Sequence, residues 1–172
     1  SGTAELSEVV VLNVRLNRTL ASEKGIELVV RSDQSVGEIR VDRAKIQQVL
    51  NNLVSNAIKF SPRDSVVSVS VSRGVDDVTV SVEDTGPGIP PEEIGKLFKP
   101  FSRTSARPGN EEPSTGLGLY LAKRIVDAHG GTIRVESNPG EGTAFHVSLP
   151  LSRSQELETR EPEYTEDDND KG

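Results

Sequence analysis

The 172-residue sequence contains no cysteine and no methionine. Without cysteine, disulfide bonds and cysteine-ligated metal sites are excluded. A cysteine-free composition also agrees with a reducing compartment, which predicts a cytoplasmic location for this chain, whether or not the parent protein is anchored in a membrane. The absence of methionine, even at position 1, predicts a fragment of a longer protein.

Long apolar runs are absent as well. No stretch approaches the ~20 residues that a helix needs to span a bilayer, and residues 1–10 lack the basic segment that opens a signal peptide. We therefore expect no membrane contact by this chain. No internal repeat is visible, and 172 residues leave room for one domain with a real core.

The net charge of −7 is unevenly distributed along the chain. Residues 152–172 contain three Lys/Arg against eight Asp/Glu, whereas residues 1–151 contain 17 against 19. The near balance of 1–151 leaves no basic patch that would indicate nucleic acid as a partner. The acidic end has almost no apolar residues, which predicts a disordered tail or linker, with a tether to a following receiver domain as the alternative. The sequence thus predicts one domain over 1–151 and a tail over 152–172.

A helix rich in asparagine is the most informative feature that is present. Apolar residues recur at helical spacing over 45–60 and form one stripe. Asn52 and Asn56 lie one turn apart beside it, so their amides can reach the same point. Asparagine is a mediocre helix former, which favours a functional use, although either side chain can also bond a loop or face solvent. Amide oxygens suit Mg²⁺, and Lys59 on the next turn can meet phosphate charge.

A second pattern places a carboxylate at the end of a strand. Valines alternate with polar residues over 78–82, which predicts a half-buried strand. Asp84 ends the strand, and Gly86 and Gly88 then form a turn in which a ligand can approach the backbone closely, unless they serve the turn alone. A buried carboxylate at this place can accept a hydrogen bond from the exocyclic amine of adenine.

A third pattern is a glycine-rich loop that leads into a helix predicted over 120–129. The loop is Ser114-Thr115-Gly116-Leu117-Gly118-Leu119. Free backbone N–H groups and the helix dipole make such an N-terminus a site for anions.

In this order and spacing, the three patterns resemble the ATP-binding domain of sensor histidine kinases. The asparagine helix is similar to the N box of that family. Segment 84–88 is similar to the G1 box, 97–103 to the F box and 116–119 to the G2 box. Segments 142–145 and 149–150 are similar to the closing strand of that domain. The resemblance covers roughly residues 6–151 and implies the Bergerat fold, with ATP held between helices and sheet.

The remaining periodicity predicts an α/β fold. Beside the asparagine helix, capped by Asp42, we expect a first helix over 6–24 that ends at Gly25. Strands are expected over 27–31, 38–41, 65–73, 78–82, 132–136 and 143–149. Together they predict a two-layer α/β sandwich, in which one mixed, mostly antiparallel sheet carries three long helices on one face. The long polar segment 86–113, with a short helical piece near 92–98, corresponds to the flexible ATP lid of the family.

The resemblance implies transfer of the ATP γ-phosphoryl group to a histidine on a dimerisation helix that this chain lacks. Asn56 is the expected main Mg²⁺ ligand with Asn52 in support, and Lys59 and Arg103 are expected to meet the phosphates. Asp84 is expected to select adenine, helped through water by Thr143. The other expected ATP-binding residues are Phe60, Gly86, Gly88, Ile89, Thr115, Gly116, Leu117, Gly118 and Leu119.

The implied partners are a dimerisation and phosphoacceptor domain of the same kinase and the receiver domain of a response regulator. The fragment is expected to be monomeric and the full-length kinase homodimeric. Neither His129 nor His146 has the context of a phosphoacceptor, and His129 sits at a predicted helix end, where a cation complements the dipole. Phe98 and Phe101 are expected to pack the lid. Arg107 has no counterpart in the family and is expected to be a solvated charge.

Two other functions stay open. A clamp-type ATPase of the same superfamily usually has an acidic residue near the first asparagine, but Gln47, Gln48 and Asn51 stand there, which favours transfer over hydrolysis. A pseudokinase or scaffold is disfavoured by the intact Asn56 and the glycine loops. Ser114 stands where the family usually has a glycine, so the conformational freedom of the lid hinge is expected to differ from that of the family.

Overall fold

A computed structural model of the chain describes residues 2–32, 36–101 and 117–151. The predicted tail over 152–172 and much of the predicted lid, with Arg103 and Arg107, lie outside the described residues, as do Ser114, Thr115 and Gly116. In chain order the elements are β1 (Gly2–Glu5), α1 (Leu6–Glu23), β2 (Glu27–Ser32), β3 (Glu38–Val41), α2 (Arg43–Phe60), β4 (Val66–Arg73), β5 (Asp77–Asp84), α3 (Pro91–Ile94), α4 (Gly118–Ala128), β6 (Thr132–Asn138) and β7 (Gly142–Pro150).

The main sheet contains five strands in the order β2-β4-β5-β7-β6. Strands β4 and β5, and likewise β6 and β7, follow each other directly along the chain and pair antiparallel, as do β5 and β7. Strand β2 pairs parallel with β4, because the connection through β3 and α2 returns the chain to the same end of the sheet. The expectation of a mixed, mostly antiparallel sheet is confirmed.

The expectation of a single sheet is wrong, because β3 does not join the five strands. It pairs antiparallel with β1 in a separate two-stranded sheet. The sequence pattern did not predict β1, whose four residues show no clear alternation. This small sheet buries Ala4, Ile39 and Val41, and β1 contacts both α1 and α2. Packing against the helices, rather than local propensity, accounts for a strand this short.

The two faces of the main sheet differ in polarity. The face under the helices is buried and apolar, with Val67, Val69, Val71, Val78, Val80, Val82, Phe145, Val147 and Leu149. The opposite face carries hydroxyl side chains, among them Thr79 and Ser148, whose oxygens lie 2.9 Å apart. Because successive strand residues point to opposite faces, this alternation confirms the two-layer sandwich with three longer helices on one side. Within the described residues, no helix is both long and apolar enough to cross a bilayer.

Helices α1 and α2 run side by side in the same direction. The amide of Asn17 donates to Asn51 Oδ1 at 3.1 Å, and Lys24 Nζ donates to the carbonyls of Ile58 and Lys59 at 3.0 and 2.7 Å. The latter groups belong to the last turn of α2, whose carbonyls have no partner within the helix. Burial, with a smaller contribution from a nearby arginine, lowers the pKa of Lys24. These contacts fix the register in which α1 supports the asparagine helix.

The cap predictions at both helices are confirmed. Asp42 accepts from the backbone N–H of Lys45 at 3.1 Å at the start of α2. Gly25 follows α1 with a φ of +69°, the left-handed conformation that glycine adopts readily.

His129 joins the end of α4 to the start of α2. Its Nδ1 donates to the carbonyl of Ile125 at 2.8 Å, and its Nε2 accepts from the backbone N–H of Asp42 at 3.1 Å. An imidazole that donates from one nitrogen and accepts at the other is neutral. The expectation that His129 complements the helix dipole as a cation is therefore wrong for this arrangement.

We expect His129→Ala to lower the free energy of unfolding by about 1 kcal/mol, because the half-buried N–H of Asp42 then loses its hydrogen-bond partner. Urea unfolding at pH 8 measures the change, and the control is Lys123→Ala, which removes only a solvent-exposed ion pair with Asp127 within α4. Equal stability of His129→Ala and wild type would contradict a helix-joining role.

Candidate nucleotide site

The structure brings the three sequence patterns together. Asn52 in α2 donates from Nδ2 to the carbonyl of Gly118, the first residue of α4, at 3.1 Å. On the other side, a Cβ built on Gly86 would lie 2.6 Å from the carbonyl oxygen of Phe60, the last residue of α2. The asparagine helix therefore touches both the turn after β5 and the N-terminus of α4.

Asn52 and Asn56 of α2 differ in whether their side chains already bond other residues of the protein. Both are half-buried. Asn52 commits its Nδ2 to Gly118 and keeps its oxygen as an acceptor. Within the described residues, no hydrogen bond is found for the side chain of Asn56, so its amide is available to a ligand. Asn51, by contrast, accepts a hydrogen bond from Asn17 of α1 through its side-chain oxygen.

Asp84 is the last residue of β5 and is half-buried. Its Oδ1 accepts from the backbone N–H of Gly86 at 2.9 Å. Burial raises the pKa of the Asp84 carboxyl, and hydrogen bonds from the backbone of Gly86 and of Thr143 partly offset this rise. The carboxylate is thus held in place by the backbone and remains a strong acceptor at the edge of the core.

Gly88 serves the packing of the turn on the hairpin of β6 and β7. It has a φ of +76°, and a Cβ there would collide with the carbonyl of Asn138. Gly142 has a φ of +88°, and a Cβ there would collide with the carbonyl of Asp84. The space next to Gly88 is filled by the chain itself, so the structure accounts for this glycine without a ligand.

A serine that the sequence did not single out joins the turn to the hairpin. The Oγ of Ser137 lies 2.8 Å from the backbone nitrogen of Ile89, 2.9 Å from the carbonyl of Gly142 and 2.8 Å from Thr143 Oγ1. A second link runs from the N–H of Gly140 to the carbonyl of Pro87 at 2.7 Å. Only the position of Ser137 one residue before an Asn-Pro-Gly turn hinted at this role.

Apolar residues surround these polar groups. Ile89 and Leu97 are buried, and Phe60 and Leu119 are half-buried. Phe98 meets Phe145 edge to face, with ring centroids 6.3 Å apart, and so packs this segment against the core. Phe101 is 73 % exposed.

The loop before α4 is described only in part. Leu117 immediately precedes the helix, which begins at Gly118, two residues earlier than the predicted 120. Thr115, Gly116 and Arg103 lie outside the described residues, so their expected contacts with phosphates stay predictions. The side chain of Lys59 is half-buried, and its role stays a prediction as well.

His146 lies on the open face of the sheet and is poorly placed to accept a phosphoryl group. Its Nδ1 is 2.6 Å from Ser81 Oγ, and its Nε2 is buried, 3.5 Å from a carboxylate oxygen of Glu136. Both nitrogens of His129 are hydrogen-bonded. Neither histidine offers a free, exposed nitrogen lone pair.

Comparison with known sequences places the chain in a family. The sequence model of histidine kinase-, DNA gyrase B- and HSP90-like ATPases matches residues 41–153. The virulence sensor protein BvgS of Bordetella bronchiseptica is 43 % identical over 81 % of this chain, which spans 12 % of that protein. The sensor histidine kinase ZraS of Klebsiella oxytoca is 35 % identical over 91 % of this chain and 33 % of that protein.

Solved structures show the same fold. The mycobacterial sensor histidine kinase MprB has a TM-score of 0.78 at 29 % identity and covers 87 % of this chain and 97 % of its own. Full-length ShkA in complex with AMPPNP has a TM-score of 0.78 at 28 % identity, over 88 % of this chain and 31 % of its own. ThkA in complex with the response regulator protein TrrA has a TM-score of 0.73 at 28 % identity, over 92 % of this chain and 42 % of its own.

The chain belongs to the family of histidine kinase-, DNA gyrase B- and HSP90-like ATPases, and within it has the sequence and fold of sensor histidine kinase catalytic domains. This confirms the family and the α/β fold predicted from the sequence. It spans about a third or less of the two curated relatives named above.

Proposed function

We propose that this chain binds ATP with Mg²⁺ and transfers the γ-phosphoryl group to a histidine of a separate dimerisation and phosphoacceptor domain. The bond from the γ-phosphorus to the bridging oxygen breaks, ADP leaves, and a phosphorus–nitrogen bond forms on the acceptor. The observation that carries the proposal is the contact of Asn52 with Gly118. It joins an amide-bearing helix to the N-terminus of another helix, where phosphate charge is favoured.

The side chains present suit Mg²⁺ held together with a triphosphate. Mg²⁺ usually takes only one or two protein oxygens and completes its shell with phosphates and water. Asn56 supplies an amide with no other partner in the described part of the chain, and Asn52 retains its oxygen. Bound Mg²⁺ would neutralise charge on the phosphates, and the amides would orient it.

The other residues divide between the two ends of the nucleotide. Lys59, Arg103, Thr115 and the backbone of 116–118 would meet the phosphates. Asp84 would accept from the adenine amine, with Thr143 beside it. The ring would be covered by Phe60, Ile89 and Leu119, and Gly86 and Gly88 would shape the turn that holds the adenine end.

The wider proposal concerns domains and partners. We propose a catalytic domain over 1–151 with a lid at about 86–113, a tail over 152–172, and a cytoplasmic setting. The complex of ThkA with a response regulator protein supports a receiver domain as the downstream partner. A clamp-type ATPase is less well supported, because the relatives compared are sensor kinases.

We expect the isolated chain to be monomeric, to bind ATP·Mg²⁺ with modest affinity, and not to phosphorylate itself. Incubation with γ-labelled ATP should leave it unlabelled, because His129 and His146 both have their nitrogens engaged or buried. Addition of a separate dimerisation-helix fragment from the parent kinase should place the label on that fragment.

The chemical stability of the label identifies the acceptor. A phosphohistidine on the added fragment would be labile in acid and stable in base. The same kind of label on His129 or His146 would contradict the proposal that this chain lacks its acceptor. No ATP binding at all would remove the proposed function itself, and sedimentation velocity tests the monomer.

A further inference from the structure

Ser137 lies in a row of three polar side chains that crosses three strands. Asp84 of β5 is the register partner of Thr143 of β7, and Thr143 is the register partner of Ser137 of β6. Asp84 lies two residues after the buried Val82, and Thr143 two residues before the buried Phe145, so both point to the helix-covered face at this end of the sheet. Thr143 is 8 % exposed.

The hydrogen bonds of Ser137 leave only one arrangement of protons. The Ser137 hydroxyl has one proton and two lone pairs. The backbone N–H of Ile89 can only donate, so it takes one lone pair, and the carbonyl of Gly142 can only accept, so it takes the proton. The contact with Thr143 Oγ1 at 2.8 Å then requires the threonine hydroxyl to donate into the second lone pair.

Thr143 consequently has no proton left for a ligand. Its Oγ1 presents only lone pairs, and the adjacent Asp84 carboxylate, when ionised, is also only an acceptor. An edge made of acceptors suits the exocyclic amine of a 6-aminopurine, directly or through water. It offers no direct donor to the carbonyl of a 6-oxopurine, and a site built to bond one group rejects the analogue that lacks it.

We propose that Ser137 is a positioning residue for base selection, because its hydroxyl orients the proton of Thr143 away from the nucleotide and ties the Gly86–Ile89 turn to the hairpin. This inference rests on the proposed nucleotide site and extends it to a residue outside the motifs. Loss of the Ser137 hydroxyl frees the Thr143 proton, which can then donate to a 6-oxopurine.

The test compares binding of ATP and ITP, which differ at position 6 of the purine. We expect Ser137→Ala to weaken ATP binding roughly two- to tenfold, as for a lost neutral hydrogen bond, and to lower the preference for ATP over ITP. Thr143→Val should lower the same preference, and the double variant should lower it no further than Thr143→Val does, because the serine acts on base selection through the threonine.

Matched variants separate the effect of the Ser137 hydroxyl from the effect of side-chain packing. Ser137→Thr keeps a hydroxyl and should restore the preference, whereas Ser137→Val has nearly the same shape without it and should not. Ser148→Ala removes a hydroxyl from the opposite face of the sheet and should change neither affinity.

Two results with Ser137 variants would overturn the inference. One is an unchanged ATP-to-ITP affinity ratio in Ser137→Ala, which means equal losses for both nucleotides, and the other is strictly additive losses of that ratio in the double variant. Thr143→Val with the wild-type ratio would do the same, even if every Ser137 variant failed to fold. Failure of wild type to bind ATP would instead remove the proposed function, so the two failures are distinguishable.

Discussion

Asp84→Asn is expected to weaken ATP binding about ten- to a hundredfold without making the fold less stable at neutral pH. A hydrogen bond to a charged, half-buried acceptor contributes about 1.5–3 kcal/mol. The amide can turn its NH₂ group toward the adenine amine, which then meets a donor instead of an acceptor. The same amide can still accept from the N–H of Gly86 through its oxygen.

The stability of this variant depends on pH in a definite direction. Burial raises the pKa of Asp84 above its unfolded value. For such a group, the contribution to stability is fully present below the unfolded pKa and is lost as pH rises through the folded pKa. At neutral pH the ionised carboxylate therefore opposes folding, and the neutral asparagine does not. The free energy of unfolding of the variant should therefore exceed that of wild type at pH 7, and this difference should shrink toward pH 3.

Two measurements check the prediction. Calorimetric titration with ATP·Mg²⁺ gives the affinity, and urea unfolding at pH 7 and pH 3 gives the stability. Glu83→Gln, which removes an exposed carboxylate from the neighbouring position of β5, is the matched control and should alter neither. Unchanged ATP affinity in Asp84→Asn would remove the adenine assignment, and a loss of stability at pH 7 would show that the carboxylate holds the turn.

Asn56→Ala is expected to reduce phosphoryl transfer to the separate acceptor domain at least about a hundredfold. Loss of one positioned group that stabilises transition-state charge typically costs a factor of this size, and the Mg²⁺ that Asn56 would help to hold would contribute charge stabilisation of several kcal/mol. The fold should remain intact, since Asn56 is half-buried and no hydrogen bond is found for its side chain within the described residues. Asn56→Asp should also impair Mg²⁺-dependent binding or transfer.

The assay measures initial rates of transfer across a range of Mg²⁺ concentrations, with thermal unfolding of each variant alongside. Gln48→Ala on the exposed side of the same helix should behave as wild type. Full transfer activity in Asn56→Ala would contradict the metal role. If Asn56→Ala is unfolded instead, the residue has a structural role, which is the alternative that the sequence left open.

Most of the secondary structure follows from short-range pattern. The two 18-residue helices, α1 and α2, have a 3.6-residue apolar period, and the paired strands alternate with a period of two. Their caps, Asp42 and Gly25, are local signals as well. Because these features depend on residues within one or two turns, the sequence could predict them. Strand β1 carries no such signal, so its pairing with β3 was missed.

The sequence by itself determined the family and the segments of the proposed site, because residues that resemble the N, G1 and G2 boxes stand in order along the chain. Only the tertiary structure decided how these segments meet: Asn52 bonds Gly118, Gly88 packs on the hairpin, and Ser137 fixes Thr143. It also showed His129 to be a neutral link between two helices. Each of these contacts joins residues on different elements, and a single sequence does not record which distant groups satisfy one another's hydrogen bonds.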